Sequence, residues 1–261
     1  MALKIGVVTD IHNGPDMDTR IGSQAMPMLD RFVAAMRRFQ PDVIIDLGDR
    51  INDVSIEEDR ARIQAVRDRL ASVGPPVLFL YGNHDLINVK PEEQRRILGK
   101  KGDYESLDVK GFHLILLNSQ DPTFDGVGGT ISDAQLAWLQ EDLQASQGPI
   151  LVFCHHPLNE QDSSGHWYFG DHQAYALAVN RERARALLEG SERVRAIFHG
   201  HMHWNHVSVN NGMAYVTVES LICNGLTGGP PAGCFAEVIA EPHGAFQVEV
   251  KGALPMTFVC S

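Results

Sequence analysis

Val77-Leu78-Phe79-Leu80-Tyr81-Gly82-Asn83-His84-Asp85 is the stretch from which the rest of the chain can be read. A short apolar run of this kind suits a strand covered on both faces. The small and polar residues that follow place an amide oxygen and an imidazole at the strand's exit. A turn with Asp85 as helix cap accounts for the same residues, and it can hold for Asp85 even where Asn83 and His84 serve chemistry. Similar apolar runs occupy residues 3–9, 42–47, 112–117, 149–154 and 194–199.

Between the runs lie amphipathic stretches at 25–39, 56–73, 132–144 and 180–189. Ser132 followed by Gln135 starts the third as a capping box, and Gly190 is placed to stop the fourth. Strand and helix alternating over roughly 200 residues predicts an α/β layered domain. After His203 the pattern changes to strand-length runs at 206–210, 214–218, 235–240 and 246–251, with Asn211-Gly212 as a hairpin signal between the first two. Nothing resembling a linker precedes this tail. Residues 1–261 are therefore expected to form one domain, with 206–261 completing a second sheet packed on the first. Long loops at 13–24, 118–130, 158–173 and 224–233 are the candidate walls of a substrate site.

The other strand ends carry chemistry too. Asp10-Ile11-His12 follows the first run, and in extended chain residues two apart face the same way, so both side chains can converge on one ion. In isolation such a pair serves turns more often than metals. Gly48-Asp49 closes the second run, where the missing side chain frees Asp49 to offer both oxygens to two cations, although this pair too is more often a turn. In His155-His156-Pro157 the proline favours extended backbone before it, so the two imidazoles face opposite ways and one enters a site readily. In His199-Gly200-His201-Met202-His203 the last two histidines share a side, and His199 is assigned to the core. Strand ends of a doubly covered sheet form one rim, where ligand sites gather. Four imidazoles, two carboxylates and one amide oxygen, with no thiolate, suit a pair of divalent ions.

These residues resemble the calcineurin-like metallophosphoesterases. The likeness rests on D-x-H at Asp10, G-D at Asp49, G-N-H-D at Gly82 to Asp85, H-H-P at His155 and G-H-x-H at Gly200 to His203, in family order over residues 3–206. Leu116-Leu117-Asn118-Ser119, with Ser132-Asp133, Gln135-Leu136 and Trp138-Leu139, is similar to the compact bacterial branch of cyclic-nucleotide and glycerophosphodiester hydrolases. The resemblance implies a four-layer αββα sandwich of two mixed sheets flanked by helices. It implies that Asp10, His12 and His203 hold one metal, that Asn83, His155 and His201 hold the other, and that Asp49 bridges them. His84 would lie beside the leaving-group oxygen as general acid, paired with Asp53 or Asp85. The expected activity is hydrolysis of small phosphate esters, phosphodiesters first, by a hydroxide bridging two ions of manganese, iron, zinc or cobalt. A phosphomonoesterase, a nuclease and a non-catalytic scaffold are the alternatives.

The chain departs from the family at Arg50-Ile51-Asn52-Asp53, at Asn118 where relatives often have Asp, and at His166-Trp167-Tyr168-Phe169. Arg50, Asn118 and His156 are the candidate substrate contacts. Arg20 is assigned to pairing with a surface carboxylate, His113 to packing, and His166 evenly to packing or site. The formal charge of -11, from 33 acidic and 22 basic side chains, would repel polyanions, which argues against nucleic acid and membrane surfaces as partners. No apolar run approaches the roughly 20 residues of a membrane-spanning helix. The N-terminal segment lacks the marks of a signal peptide, so a cytoplasmic location is expected. Cys154, Cys223, Cys234 and Cys260 show no C-x-x-C spacing and are expected to be free thiols. A homo-oligomer contact through the tail or the long loops is left open.

Overall fold

The computed structural model describes residues 1–260. Its elements run β1 (Leu3–Val8), α1 (Ala25–Phe39), β2 (Val43–Asp46), α2 (Ile56–Ala71), β3 (Val77–Phe79), α3 (Pro91–Leu98), β4 (Glu105–Val109) and β5 (Phe112–Leu117). A ribbon of β6 (Thr123–Phe124) and β7 (Gly128–Gly129) precedes α4 (Asp133–Ala145), β8 (Ile150–Cys154), α5 (Arg181–Glu189) and β9 (Val194–His199). The chain ends in β10 (His206–Asn210), β11 (Met213–Thr217), β12 (Phe235–Ala240), β13 (Phe246–Lys251) and β14 (Met256–Cys260).

Two six-stranded sheets result, ordered β14-β13-β12-β1-β2-β3 and β10-β11-β9-β8-β5-β4. Alternation along the central strands explains the layering, because successive side chains leave opposite faces. Ile5, Val7, Val43 and Ile45 of the first sheet meet Leu114, Leu116, Leu151 and Phe198 of the second in the core between them. Val8 and Ile44 point the other way, onto Leu29, Phe32, Ile63 and Val66 of α1 and α2. Ile115, Val152 and Ile197 pack under Leu136 and Leu139 of α4 and Leu188 of α5. The four layers are those of an αββα sandwich.

Local signals behave as read. Ser132 accepts from the Gln135 amide at 3.2 Å, and Asn211 and Gly212 turn with φ of 51° and 77°, the left-handed pair a tight hairpin requires. The tail, however, divides between the two sheets. β10 and β11 extend the second beside β9, while β12 pairs antiparallel with β1 and brings β13 and β14 into the first. The reason is the open edge of β1 opposite β2, whose amides and carbonyls need partners. Helix α3, of eight residues, and the half-exposed edge strands β4 and β14 are elements that the sequence reading does not place.

Candidate metal centre

Strands from both sheets end at one rim, and hydrogen bonds stitch the two sides there. His155 beyond β8 reaches the Leu47 carbonyl through Nδ1 at 3.0 Å, and the His201 amide beyond β9 donates to Asp10 Oδ2 at 3.0 Å. The ligand-type residues lie past the strands themselves. Asp10, His12, Asp49, His201 and His203 all have positive φ, from 44° to 68°. Their convergence comes from left-handed turns and owes nothing to the pleat expected of extended chain. Such backbone is costly for residues with a Cβ and persists where surrounding structure enforces it, often at functional sites. Glycines make room: a Cβ on Gly82 would overlap the Asp49 carboxylate, and one on Gly200 would overlap the Thr9 hydroxyl.

Around this rim, Asp10, His12 and His203 bring ligand atoms within 4.8 Å of one another, as do Asp10, Asp49 and His155. His203 Nε2 is 3.2 Å from Asp10 Oδ1 and 3.2 Å from His12 Nε2. Asp49 Oδ2 is 3.4 Å from His155 Nε2 and 3.8 Å from His12 Nε2, so it stands between the two groups. Burial opposes charge on His155, yet Asp49, joined by Asp10 and Asp85, outweighs it and lifts the imidazole to about 9. Against its own burial, His155 above all holds Asp49 well below the usual carboxylate range. Positive charge is favoured beside Asp49, whether protons or cations carry it.

The donor set fits cations. Asn83 Oδ1 and His155 Nε2 are buried with no hydrogen-bond partner, an arrangement that costs free energy unless an electrophile completes it. His201 gives Nε2 to the Tyr175 carbonyl at 3.0 Å, which leaves Nδ1 for a cation. His156 and His201 also share a group with His155. Both ring nitrogens of His156 are engaged, though, by Ser119 and Gln120 on one side and the Val127 carbonyl on the other. His155 is therefore the better ligand of the pair.

His84 anchors its amide on Asp49 Oδ1 at 2.9 Å and sets Nδ1 against Asp53 Oδ1 at 2.5 Å. Arg20 Nη1 meets its Nε2 at 2.7 Å. A guanidinium only donates, so Nε2 accepts and Nδ1 carries the proton given to Asp53. Asp85 is not the partner of His84. Its carboxylate instead accepts the amides of Asp49, Arg50 and Gly82 at 2.9 to 3.0 Å, clasping two strand ends together.

A cavity of about 130 Å³ opens on this rim, lined by His12, Asp49, Asn83, His84, His201 and His203 and, on its outer walls, by Asp18, Arg20, Val127 and His166 to Phe169. The three expected substrate contacts do not line it. Arg50 is fully buried, paired with Asp46 at 2.6 Å and Asp85 at 3.1 Å, because a lone guanidinium at that depth could not be tolerated. Asn118 is 5% exposed and spends its oxygen on the Gln120 amide. His156 is held by the three partners named above. Arg20, expected at the surface, is in the wall. So is the run at 166–169, whose signal was a cluster of aromatic side chains in a long loop. Three of the four long loops supply the walls, and the fourth packs Gly225 against Trp167.

The calcineurin-like phosphoesterase profile matches residues 3–205. A Synechococcus protein named as a probable cyclic nucleotide phosphodiesterase is 25% identical over 215 residues, covering 78% of this chain and 74% of its own length. A serine/threonine-protein phosphatase of Danio rerio is 31% identical over 210 residues, covering 73% of this chain and 64% of its own. A solved dimetal phosphatase from Danio rerio shares the fold with a TM-score of 0.80 over 99% of both chains, at 17% identity.

Proposed function

The chain belongs to the calcineurin-like phosphoesterase family, and from that premise we propose that its metal-dependent phosphoesterase activity is directed first at small phosphodiesters. The carrying observation is the pairing of two unpartnered buried donors, Asn83 Oδ1 and His155 Nε2, with His84 on the wall of the same cavity. The phosphodiesterase name of the Synechococcus relative supports the diester preference; the Danio rerio phosphatase keeps a monoester in the assay. A nuclease would need a basic track for backbone phosphates, and this chain carries a net charge of -11.

In this reading Asp10, His12 and His203 hold one cation, Asn83, His155 and His201 the other, and Asp49 is shared. When bound, two divalent ions supply Lewis acidity toward phosphoryl oxygens and raise the acidity of water; manganese, iron, zinc and cobalt all suit these donors. Hydrolysis forms a bond from a water oxygen to phosphorus, with that water's proton released to solvent, and breaks the bond to the alcohol, whose oxygen takes up a proton. His84 lines the cavity, with Asp53 steadying Nδ1 and Arg20 on Nε2. Once Nε2 is protonated and clear of Arg20 it can donate to that oxygen, a contribution of about 100- to 10,000-fold in general. A cytoplasmic location belongs to the same proposal. Among the described residues no helix is long and apolar enough to cross a membrane.

The test is a panel of a diester, a monoester, a cyclic nucleotide, a glycerophosphodiester and single-stranded DNA, each with and without chelator. His84→Ala should cut turnover with metal content intact, whereas Asn83→Ala should lose metal occupancy. Full activity in both variants would sink the assignment.

A further inference from the structure

Arg20 lies in the loop between β1 and α1, where main-chain hydrogen bonds to Met17 and a bridge to Cys223 fix its backbone. Its side chain is 13% exposed, and it is the one Lys or Arg among the described residues lining the cavity. What it touches differs from what most arginines of this acidic chain hold. Arg50, Arg60 and Arg95 each hold a carboxylate at 2.6, 2.6 and 2.5 Å. Arg20 has a neutral imidazole nitrogen at 2.7 Å and the Met17 thioether at 2.9 Å. Its nearest carboxylate, Asp18, is 3.9 Å away and 72% exposed. A thioether is a weak acceptor, and a solvated carboxylate at that distance holds a guanidinium loosely.

The guanidinium thus carries donors without strong acceptors, beside the rim where a phosphate ester would sit. Building on the functional reading above, we propose that Arg20 binds the non-bridging phosphoryl oxygens of the substrate and, in doing so, lets go of His84. Phosphoryl oxygens accept charge-assisted, often bidentate hydrogen bonds from arginine, stronger than those to an imidazole nitrogen or a sulfur. The exchange of partners uncovers His84 Nε2 toward the cavity only when a phosphate is present. Arg20 is then a substrate-binding residue that also positions the proposed acid. Asp53, held on Nδ1, keeps the imidazole in place during the exchange.

The experiment uses metal-loaded full-length protein and two variants, Arg20→Gln and Arg20→Lys. Inorganic phosphate binding is measured by calorimetry, kinetics with bis(p-nitrophenyl) phosphate, and metal content and melting temperature are recorded for each. Arg20→Gln should weaken phosphate binding by about 10- to 100-fold, the range for one lost charge-assisted interaction. KM should rise in parallel with a smaller fall in kcat, metal content should be unchanged, and Arg20→Lys should recover part of the loss. Equal phosphate affinity in wild type and Arg20→Gln overturns the proposal, as does a loss that merely tracks lost metal or lost fold. A wild-type protein that binds phosphate through Arg20 yet hydrolyses no ester leaves this assignment standing and removes the functional reading instead.

Discussion

Asp85→Ala removes the carboxylate that ties the ends of β2 and β3 together. Three buried amides, those of Asp49, Arg50 and Gly82, lose their acceptor, and Arg50 keeps only Asp46 as counter-ion. A stranded buried amide costs about 1–3 kcal/mol, and a buried ion pair broken from one side about 3–5 kcal/mol. These penalties overlap, since water can enter the gap left by the carboxylate, so the expected loss is about 4–6 kcal/mol. For a chain of this size that lowers the melting temperature by about 8–24 °C. Asp85→Asn should lose roughly half as much. Its amide oxygen can still serve the Asp49 and Gly82 amides, while its NH2 faces the Arg50 amide and the charge is gone. Urea and thermal denaturation followed by circular dichroism measure both, and metal content should fall with stability because Asp49 hangs from the same clasp. An Asp85→Ala protein melting within about 2 °C of wild type, or one more stable than Asp85→Asn, would refute this reasoning.

Gly82→Ala should abolish metal uptake and activity, because its Cβ would displace the Asp49 carboxylate; metal analysis of the purified variant checks it, and normal occupancy would contradict the packing argument. His113 lies away from the site, bonded to Asp108 at 2.7 Å and Asp142 at 2.8 Å. Burial opposes its charge, but those two carboxylates prevail and raise its pKa. The sign follows: the contribution to stability is complete below the ordinary histidine pKa and disappears as pH rises through the raised one. With a partly exposed pair the effect is under about 1 kcal/mol. Wild type should lose its advantage over His113→Gln as pH rises above the ordinary histidine pKa of about 6.5, and a pH-independent difference would rule the clamp out.

Much of the fold was legible because strand and helix periods are local. The runs at 112–117, 194–199, 235–240 and 246–251 coincide with β5, β9, β12 and β13, and the stretch at 25–39 coincides with α1. The ligand-type residues were legible as well, since residue type and order alone mark Asp10, His12, Asp49, Asn83, His155, His201 and His203, and the fold brings them to one rim. The means of convergence was not, because left-handed φ at Asp10 or His203 follows from contacts between loops and leaves no sign in the neighbouring sequence.

Charged side chains were the least readable. Arg50 and Arg20 look alike in the sequence, each an arginine close to a candidate ligand. One is drawn beneath the rim by Asp46 and Asp85, and the other is left facing His84 and the cavity. Hydrophobic period and residue type act over a few neighbours, so the sequence by itself determined the layers, the strand ends and the metal-binding character of the rim. The partner of a charge depends on which distant segments meet at a given depth and dielectric. Only the tertiary structure could decide that Asp53 meets His84, that Asp85 clasps the strands and that Arg20 lines the cavity.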